Sequence, residues 1–271
     1  NEGHSFGITA AGGAGWQLAE WIVEGEPGID MLAVDPRRFG GYTSKRYLVA
    51  KNEEAYRDVF TIHYPDEERH DARPVKTSPV YDKLRRLGAV FGQRYGWERA
   101  NWFAPEGVEP KDVWSFRRTN YFEHVGNECR RLREKVGVID LTPFTKFEVT
   151  GPGAEGWLDS LVANKVPTKV GRIALCHALT QRGGIRSEFT ITKLADHYYY
   201  VVSAGAAERY DSDFLQKKLP TDGSVTLRNI TGSRGVFVLA GPRARDVMAK
   251  LTDAPLDNAS FPWLTGQVIE A

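Results

Sequence analysis

Twice in this chain a Gly-Pro pair stands between an extended apolar run and a helical one. The segments Gly151-Pro152-Gly153-Ala154-Glu155-Gly156-Trp157-Leu158-Asp159-Ser160-Leu161 and Gly241-Pro242-Arg243-Ala244-Arg245-Asp246-Val247-Met248-Ala249-Lys250-Leu251 share the pattern G-P-x-A-x-x-apolar-apolar-x-x-L, ninety residues apart. Each follows a β-rich run, Thr145–Val149 in the first case and Val236–Leu239 in the second. A strand feeding a tight turn and then a helix, used twice at long spacing, predicts two related layers within one mixed domain and not a solenoid. Chance agreement between two proline-started helices is the competing reading.

The 271 residues are enough for one large domain or two modest ones, each with a real core. Lys and Arg number 36 against 35 Asp and Glu, a formal charge of +1. So balanced a chain has no long-range field to draw it to phosphate backbones or anionic lipid, which argues against nucleic acid and membrane surfaces as partners. Apolar runs such as Val236–Ala240 fall far short of the roughly 20 residues of a membrane helix, so a water-soluble protein is expected. Cys129 and Cys176 form no CxxC pair, and the six histidines show no H-x-x-H spacing, so neither a disulfide framework nor a metal site is expected. The first residues lack Met, a basic region and an apolar region, and the last ones stop inside a strand-like run. The chain reads as an internal fragment, truncated at both ends.

Along the chain, Phe6–Thr9 predicts a short strand, Gly12-Gly13-Ala14-Gly15 a tight turn, and Ala14–Glu24 a helix whose apolar rows pack inward before Gly25 and Pro27 stop it. A glycine turn between strand and helix offers free backbone N–H groups to a negative or electron-rich ligand edge, although such turns are structural at least as often. From Arg37 to Gly96 apolar density falls. Ser78 as N-cap, Pro79 and Gly88 delimit a helix over Val80–Leu87. Trp97 and Trp102 pin a polar linker onto a neighbouring surface by burying large apolar area. Val125, Cys129, Leu132 and Val136 repeat at helical spacing over Phe122–Val136. Mixed α+β signals follow, with strands at Thr145–Val149, Ile185–Lys193, Tyr198–Val202 and Val236–Leu239 and a helix over Ala206–Leu219.

Gln181-Arg182-Gly183-Gly184 is a hairpin turn feeding the strand Ile185–Lys193. Alternation places Ile185, Ser187, Phe189 and Ile191 on one face and Arg186, Glu188 and Thr190 on the other. A mid-strand carboxylate orients a heterocycle by accepting N–H bonds or takes a proton, and a solvated Glu paired with Arg186 is the plainer alternative. His177 reads as a satisfied strand residue, and Arg130-Arg131-Leu132-Arg133 as the solvated side of an amphipathic helix.

Several of these segments together resemble one family. They are Ser5–Gly15 followed by Leu18-Ala19-Glu20-Trp21-Ile22 and Asp35-Pro36-Arg37-Arg38-Phe39, then Ser78-Pro79-Val80-Tyr81, Gly96-Trp97-Glu98-Arg99 and Trp102-Phe103. Ser115–Phe122 and Asp140–Phe147 extend the likeness. The chain resembles the dimethylglycine/sarcosine dehydrogenase family over essentially its whole length. The resemblance implies an α+β chain made of the end of an FAD-dependent amine oxidase-type domain (1–36), a connecting central subdomain (37–96) and the first part of a T-protein-like folate-binding domain (97–271).

It further implies that FAD accepts a hydride from the N-methyl carbon of a small methylated amine, with the one-carbon unit passed to tetrahydrofolate. An electron-transfer flavoprotein or oxygen would reoxidise the flavin, and the setting would be bacterial cytoplasm or mitochondrial matrix. By resemblance, Phe6, Gly7, Ile8, Gly12, Gly13, Ala14 and Gly15 contact FAD, while Glu188 and Tyr200 meet the folate, Glu188 also as a catalytic candidate. The chain departs from the family pattern at Trp16, where a smaller or basic residue is common. Glu188 stands where Asp is usual, and Ser187 where a second acid often precedes it. Ser187 and Glu188 in place of paired acids motivate the alternative of a non-catalytic folate-binding or regulatory module with a vestigial oxidase portion.

Overall fold

The computed structural model describes residues 7–270 and divides into two compact units, Asn1–Arg38 and Phe39–Ala271. In the first unit, helix α1 spans Gly7–Glu24 without a break, where the sequence reading predicted a strand, a glycine turn and a shorter helix. The physical reason is local. Alanines at 10, 11, 14 and 19 favour helix strongly, and the glycines between them cost about 1 kcal/mol each relative to Ala, which lowers helix stability without forbidding it. The apolar row of α1 does not pack inward as expected, since Leu18, Ile22 and Val23 are all exposed. Beyond it, Asp35 is clasped by Arg37, whose Nε donates to Asp35 Oδ2 at 2.9 Å and whose backbone N–H donates to Oδ1 at 2.8 Å. Burial works against the Asp35 charge, yet these bonds hold its carboxyl below the usual carboxylate range.

In the second unit, helix α2 (Lys45–Arg57) is capped by the Ser44 hydroxyl, which accepts from Tyr47 N–H. Helix α3 (Tyr81–Arg86) begins after a Val80 cap and not at Ser78. A hairpin follows, made of β1 (Ala89–Arg94) and β2 (Trp97–Phe103), turning at Tyr95-Gly96 with both φ angles positive. Trp97 and Trp102 therefore belong to a strand and not to a linker. Trp102 is buried, its indole N–H donating to Asp112 Oδ1 at 2.8 Å and its ring stacking on His124 of helix α4 (Phe122–Glu134).

The remaining strands make a two-stranded and a five-stranded sheet. Strand β3 (Gly137–Asp140) pairs with the much later β9 (Phe237–Ala240). The larger sheet contains β4 (Thr145–Thr150), β5 (Ile173–Leu179), β6 (Ile185–Ala195), β7 (Tyr198–Ser203) and β8 (Thr226–Asn229), in the order β5-β6-β7-β4-β8, antiparallel throughout. Its inner face supplies Phe147, Val149, Cys176, Phe189, Ile191, Tyr199 and Val201 to the core, which α5 (Ala154–Leu161) and α6 (Glu208–Lys217) close with Trp157, Leu158 and Leu215. The Trp157 indole N–H donates to the Lys218 carbonyl at 2.7 Å, tying the two helices together. Among the described residues no helix is long and apolar enough to cross a membrane.

The repeated Gly-Pro motif has the same geometry in both copies. β4 runs through Gly151 (φ 115°) into α5, and β9 through Gly241 (φ 114°) into α7 (Ala244–Met248). In each copy the first glycine carbonyl accepts from the alanine N–H three residues on, Ala154 and Ala244, at 3.0 Å. A side chain at either glycine would collide with a backbone carbonyl, that of Ser224 or of Lys135. The glycines are required by close chain approach as well as by φ.

Candidate functional site

The outer face of the five-stranded sheet carries the candidate residues. From Ser187 on, alternation along β6 is as the sequence predicts, with Ser187, Phe189 and Ile191 buried and Glu188 projecting outward, whereas Ile185, expected on the buried face, is exposed beside a register shift in the β5–β6 pairing. The partner of Glu188 is His177, directly opposite on β5, with Nε2 and Oε2 3.1 Å apart and side chains 35% and 62% exposed. An exposed pair of this kind adds little stability, so it orients the carboxylate more than it anchors the strand. Arg186, the partner weighed from sequence, instead lies over the rings of Tyr210 and Phe214 on α6 at 4.7 and 4.6 Å.

Tyr200 shares this outer face but pairs with Thr192, four residues beyond Glu188 on β6. That offset amounts to about 13 Å along the strand, so the two predicted folate contacts lie along one surface and do not meet at a point. Burial pushes the Tyr200 phenol above its ordinary range.

Lys146, on β4 and the same outer face, escaped the sequence reading. It is fully buried, its ammonium donating to the Thr142 carbonyl at 2.7 Å. Burial lowers its pKa, while the fields of Glu208 and Asp140 oppose that shift. A lysine in a strand ordinarily signals solvent, so only the sheet register reveals this one.

At the end of the sheet where β7 stops and β4 begins, a cavity of about 230 Å³ opens. Pro143, Phe144 and Ala204–Ala206 form one side, and Arg94, Tyr95 and Arg99 of the hairpin the other. Glu188 lies at the same end, two residues before Thr190, whose partner Val202 is two residues before Ala204. A second cavity of about 650 Å³ lies by Ile173, Met248, Phe261 and Trp263 and includes none of the predicted site residues.

Beneath Glu188, on the inner face, the Ser187 hydroxyl donates to the buried Asp211 of α6 at 2.6 Å. Ser187 thus serves the core, on the face opposite Glu188. Burial raises the Asp211 carboxyl above its ordinary 3.8, with Ser187 and Arg186 offsetting only part of the effect. Between 3.8 and the raised value, the folded state keeps a proton that the unfolded chain has released, so stability falls as pH rises through that window. Asp211→Asn, which still accepts from Ser187, should therefore be more stable than the parent at pH 7, with the gap closing below pH 3.8. Chemical denaturation of both proteins across pH 3 to 8 checks this, and a gap that widens in acid would refute it.

The residues assigned to FAD fare differently. Phe6 lies outside the described residues. Gly7, Ile8, Gly12, Gly13, Ala14 and Gly15 all sit on α1, where the mid-helix amides are committed to carbonyls four residues back. A side chain added at Gly7, Gly12, Gly13 or Gly15 would meet nothing within 4 Å, and Ile8 is exposed. The tight glycine turn with free N–H groups that the sequence predicts is thus replaced by continuous helix over these residues.

Comparison with known proteins assigns the outer-face sheet to a family. Residues 80–271 match the GCVT N-terminal domain. The chain belongs to that family. Residues 24–78 match the FAD dependent oxidoreductase central domain, so the two matches meet at the start of α3. Mitochondrial dimethylglycine dehydrogenase of Rattus norvegicus is 37% identical over 97% of this chain and 31% of its own length. The mitochondrial pyruvate dehydrogenase phosphatase regulatory subunit of Mus musculus is 32% identical over 96% of this chain and 30% of its own. The chain thus spans about a third of the length of these relatives. Among solved structures, the aminomethyltransferase T of the Bartonella henselae glycine cleavage system superposes with a TM-score of 0.57 at 23% identity, covering 71% of this chain and 47% of that one, a likeness of fold. Sequence and fold together place this α+β chain at the junction of an oxidoreductase central domain and a T-protein-like domain, as the resemblance implied.

Proposed function

We propose that the second unit contributes the folate-facing sheet of a flavin-dependent N-demethylase acting on a small methylated amine such as dimethylglycine or sarcosine. The observation that carries the reading is the Glu188 carboxylate, exposed on the outer face, oriented by His177 and set at the same sheet end as the 230 Å³ cavity. A pterin presents N–H donors at its edge, and an ionised carboxylate is an acceptor matched to them. Phe144 and Tyr95 offer aromatic surface for the remainder of the ligand. The residues present therefore fit tetrahydrofolate, which takes up the one-carbon unit. Glu188 binds and orients the pterin and is the candidate acceptor of its proton, His177 fixes the rotamer of Glu188, and Tyr200 lines the same face. The flavin of the full-length protein supplies the hydride chemistry, outside what α1 provides here.

Titration calorimetry of the full-length protein with 5-formyltetrahydrofolate tests the site. Glu188→Gln retains shape but loses the charge-assisted bond, and affinity should fall about 10- to 100-fold. Unchanged affinity would remove Glu188 from the site. A second reading, a folate-binding or regulatory module without turnover, is favoured by the similarity to a regulatory subunit. Bleaching of the flavin band by dimethylglycine or sarcosine selects the enzyme, and tight folate binding without bleaching by any methylated amine selects the module.

A further inference from the structure

Lys146 is a buried cation to which the folate reading assigns no task. A charge taken out of water is costly unless its protons are matched, and the same space on β4 would take a Met side chain without that cost. Among the described residues the Lys146 ammonium makes no ion pair, and the hydrogen bond it makes is to the Thr142 carbonyl, at 2.7 Å. What lysine adds over an apolar side chain is therefore one charged donor aimed at the turn between β3 and β4.

That turn is held from several sides. The Thr142 N–H donates to Asp140 Oδ1 at 3.0 Å, and the Thr142 hydroxyl accepts from Val236 N–H at 3.2 Å. Phe144 N–H donates to the Leu141 carbonyl at 3.0 Å, and Gly205 packs so near the Pro143 carbonyl that a side chain there would collide with it. Thr142 is buried, and Lys146 is the partner that satisfies its carbonyl.

Lys146 does not itself line the 230 Å³ cavity, whereas Leu141, Pro143 and Phe144 of the turn do. In register Lys146 stands across from Val202, and Val202 from Thr190, two residues beyond Glu188 on the same face. Turn and carboxylate thus belong to one end of the sheet. Resting on the folate reading above, we infer that Lys146 is a positioning residue for the bound ligand, which by holding Thr142 keeps Pro143 and Phe144 as a fixed apolar wall beside Glu188. It touches no ligand and acts through the turn. A wall already in place need not be ordered on binding, so its contribution is read in affinity.

Calorimetry of the full-length protein with 5-formyltetrahydrofolate, well below the melting transition, tests this. Lys146→Met keeps the volume and removes the donor, and affinity should fall roughly 5- to 10-fold. Lys146→Gln, too short to reach Thr142, carries the same expectation should the Met variant not fold. Phe144→Ala removes the wall and should weaken binding by a similar factor. The double variant should bind within about twofold of Phe144→Ala alone, because Lys146 then has nothing left to position. A role confined to stability would lower the melting midpoint and leave these affinities untouched. Unchanged affinity in a folded Lys146 variant, a silent Phe144→Ala, or losses that multiply in the double variant would each overturn the inference and leave the folate reading standing. A parent protein that binds no reduced folate overturns both.

Discussion

Phe189→Ala should lower the stability of the second unit by about 3–5 kcal/mol, the usual result of truncating a buried phenylalanine in a core that cannot collapse around the cavity. Phe189 is 2% exposed at the middle of β6, a strand with partners on both sides, and it packs with Cys176, Ile191 and Val201 beneath α5 and α6. For a unit of this size such a loss corresponds to a drop in melting midpoint of about 10 °C or more. Its neighbours Glu188 and Thr190 face the other way, so the effect on folate affinity, measured well below the transition, should be within twofold. A one-residue shift in strand register would exchange the two faces. A variant that keeps its midpoint and loses ligand affinity would therefore overturn the assignment of Glu188 to the outer face.

The second large effect is expected at the first glycine of the repeated motif. Gly151→Ala places a methyl group against the Ser224 carbonyl at φ 115°, a conformation essentially reserved for glycine. The collision is with backbone and not with the end of a flexible side chain. Relief requires β8 to move away from β4, and the same Ser224 carbonyl also accepts from Gly153 N–H at 3.0 Å. A loss of about 3 kcal/mol in urea denaturation is expected. Gly183→Ala is the matched control. Its φ is 80°, but an added side chain meets nothing within 4 Å, so it carries only the left-handed backbone cost of about 1–2 kcal/mol. Equal losses in the two variants would show that φ alone matters and that close approach at Gly151 does not.

These two variants probe features that were legible before any coordinates. Strand period two told which residues of β6 from Ser187 on share a face, and the Gly-Pro repeat told where two strands hand over to helices, because both signals are local and steric. The strand and helix positions around them held to within a few residues, as element ends do. Helix α1 is the counter-example. A glycine cluster between an apolar run and a helix reads as a turn, but the alanines flanking it support continuous helix, and helix propensity decides where no packing opposes it.

What the chain alone determined is therefore the positions of β4, β6, β7, β9, α3, α4 and α6, the faces of β6 from Ser187 on and, through resemblance, the family to which residues 80–271 belong. What the tertiary structure decided is which face is covered and what distant residues come together there. Lys146 is buried on a strand whose backbone there bonds to Ile230 and Thr231, more than eighty residues along the chain. Glu188 meets His177 because of one hairpin register, and Arg94 and Arg99 share a cavity with Phe144 because the hairpin lands at that end of the sheet. Periodicity fixes the direction of a side chain relative to its neighbours in sequence. Burial and partnership depend on contacts between segments tens of residues apart, and no local pattern encodes those.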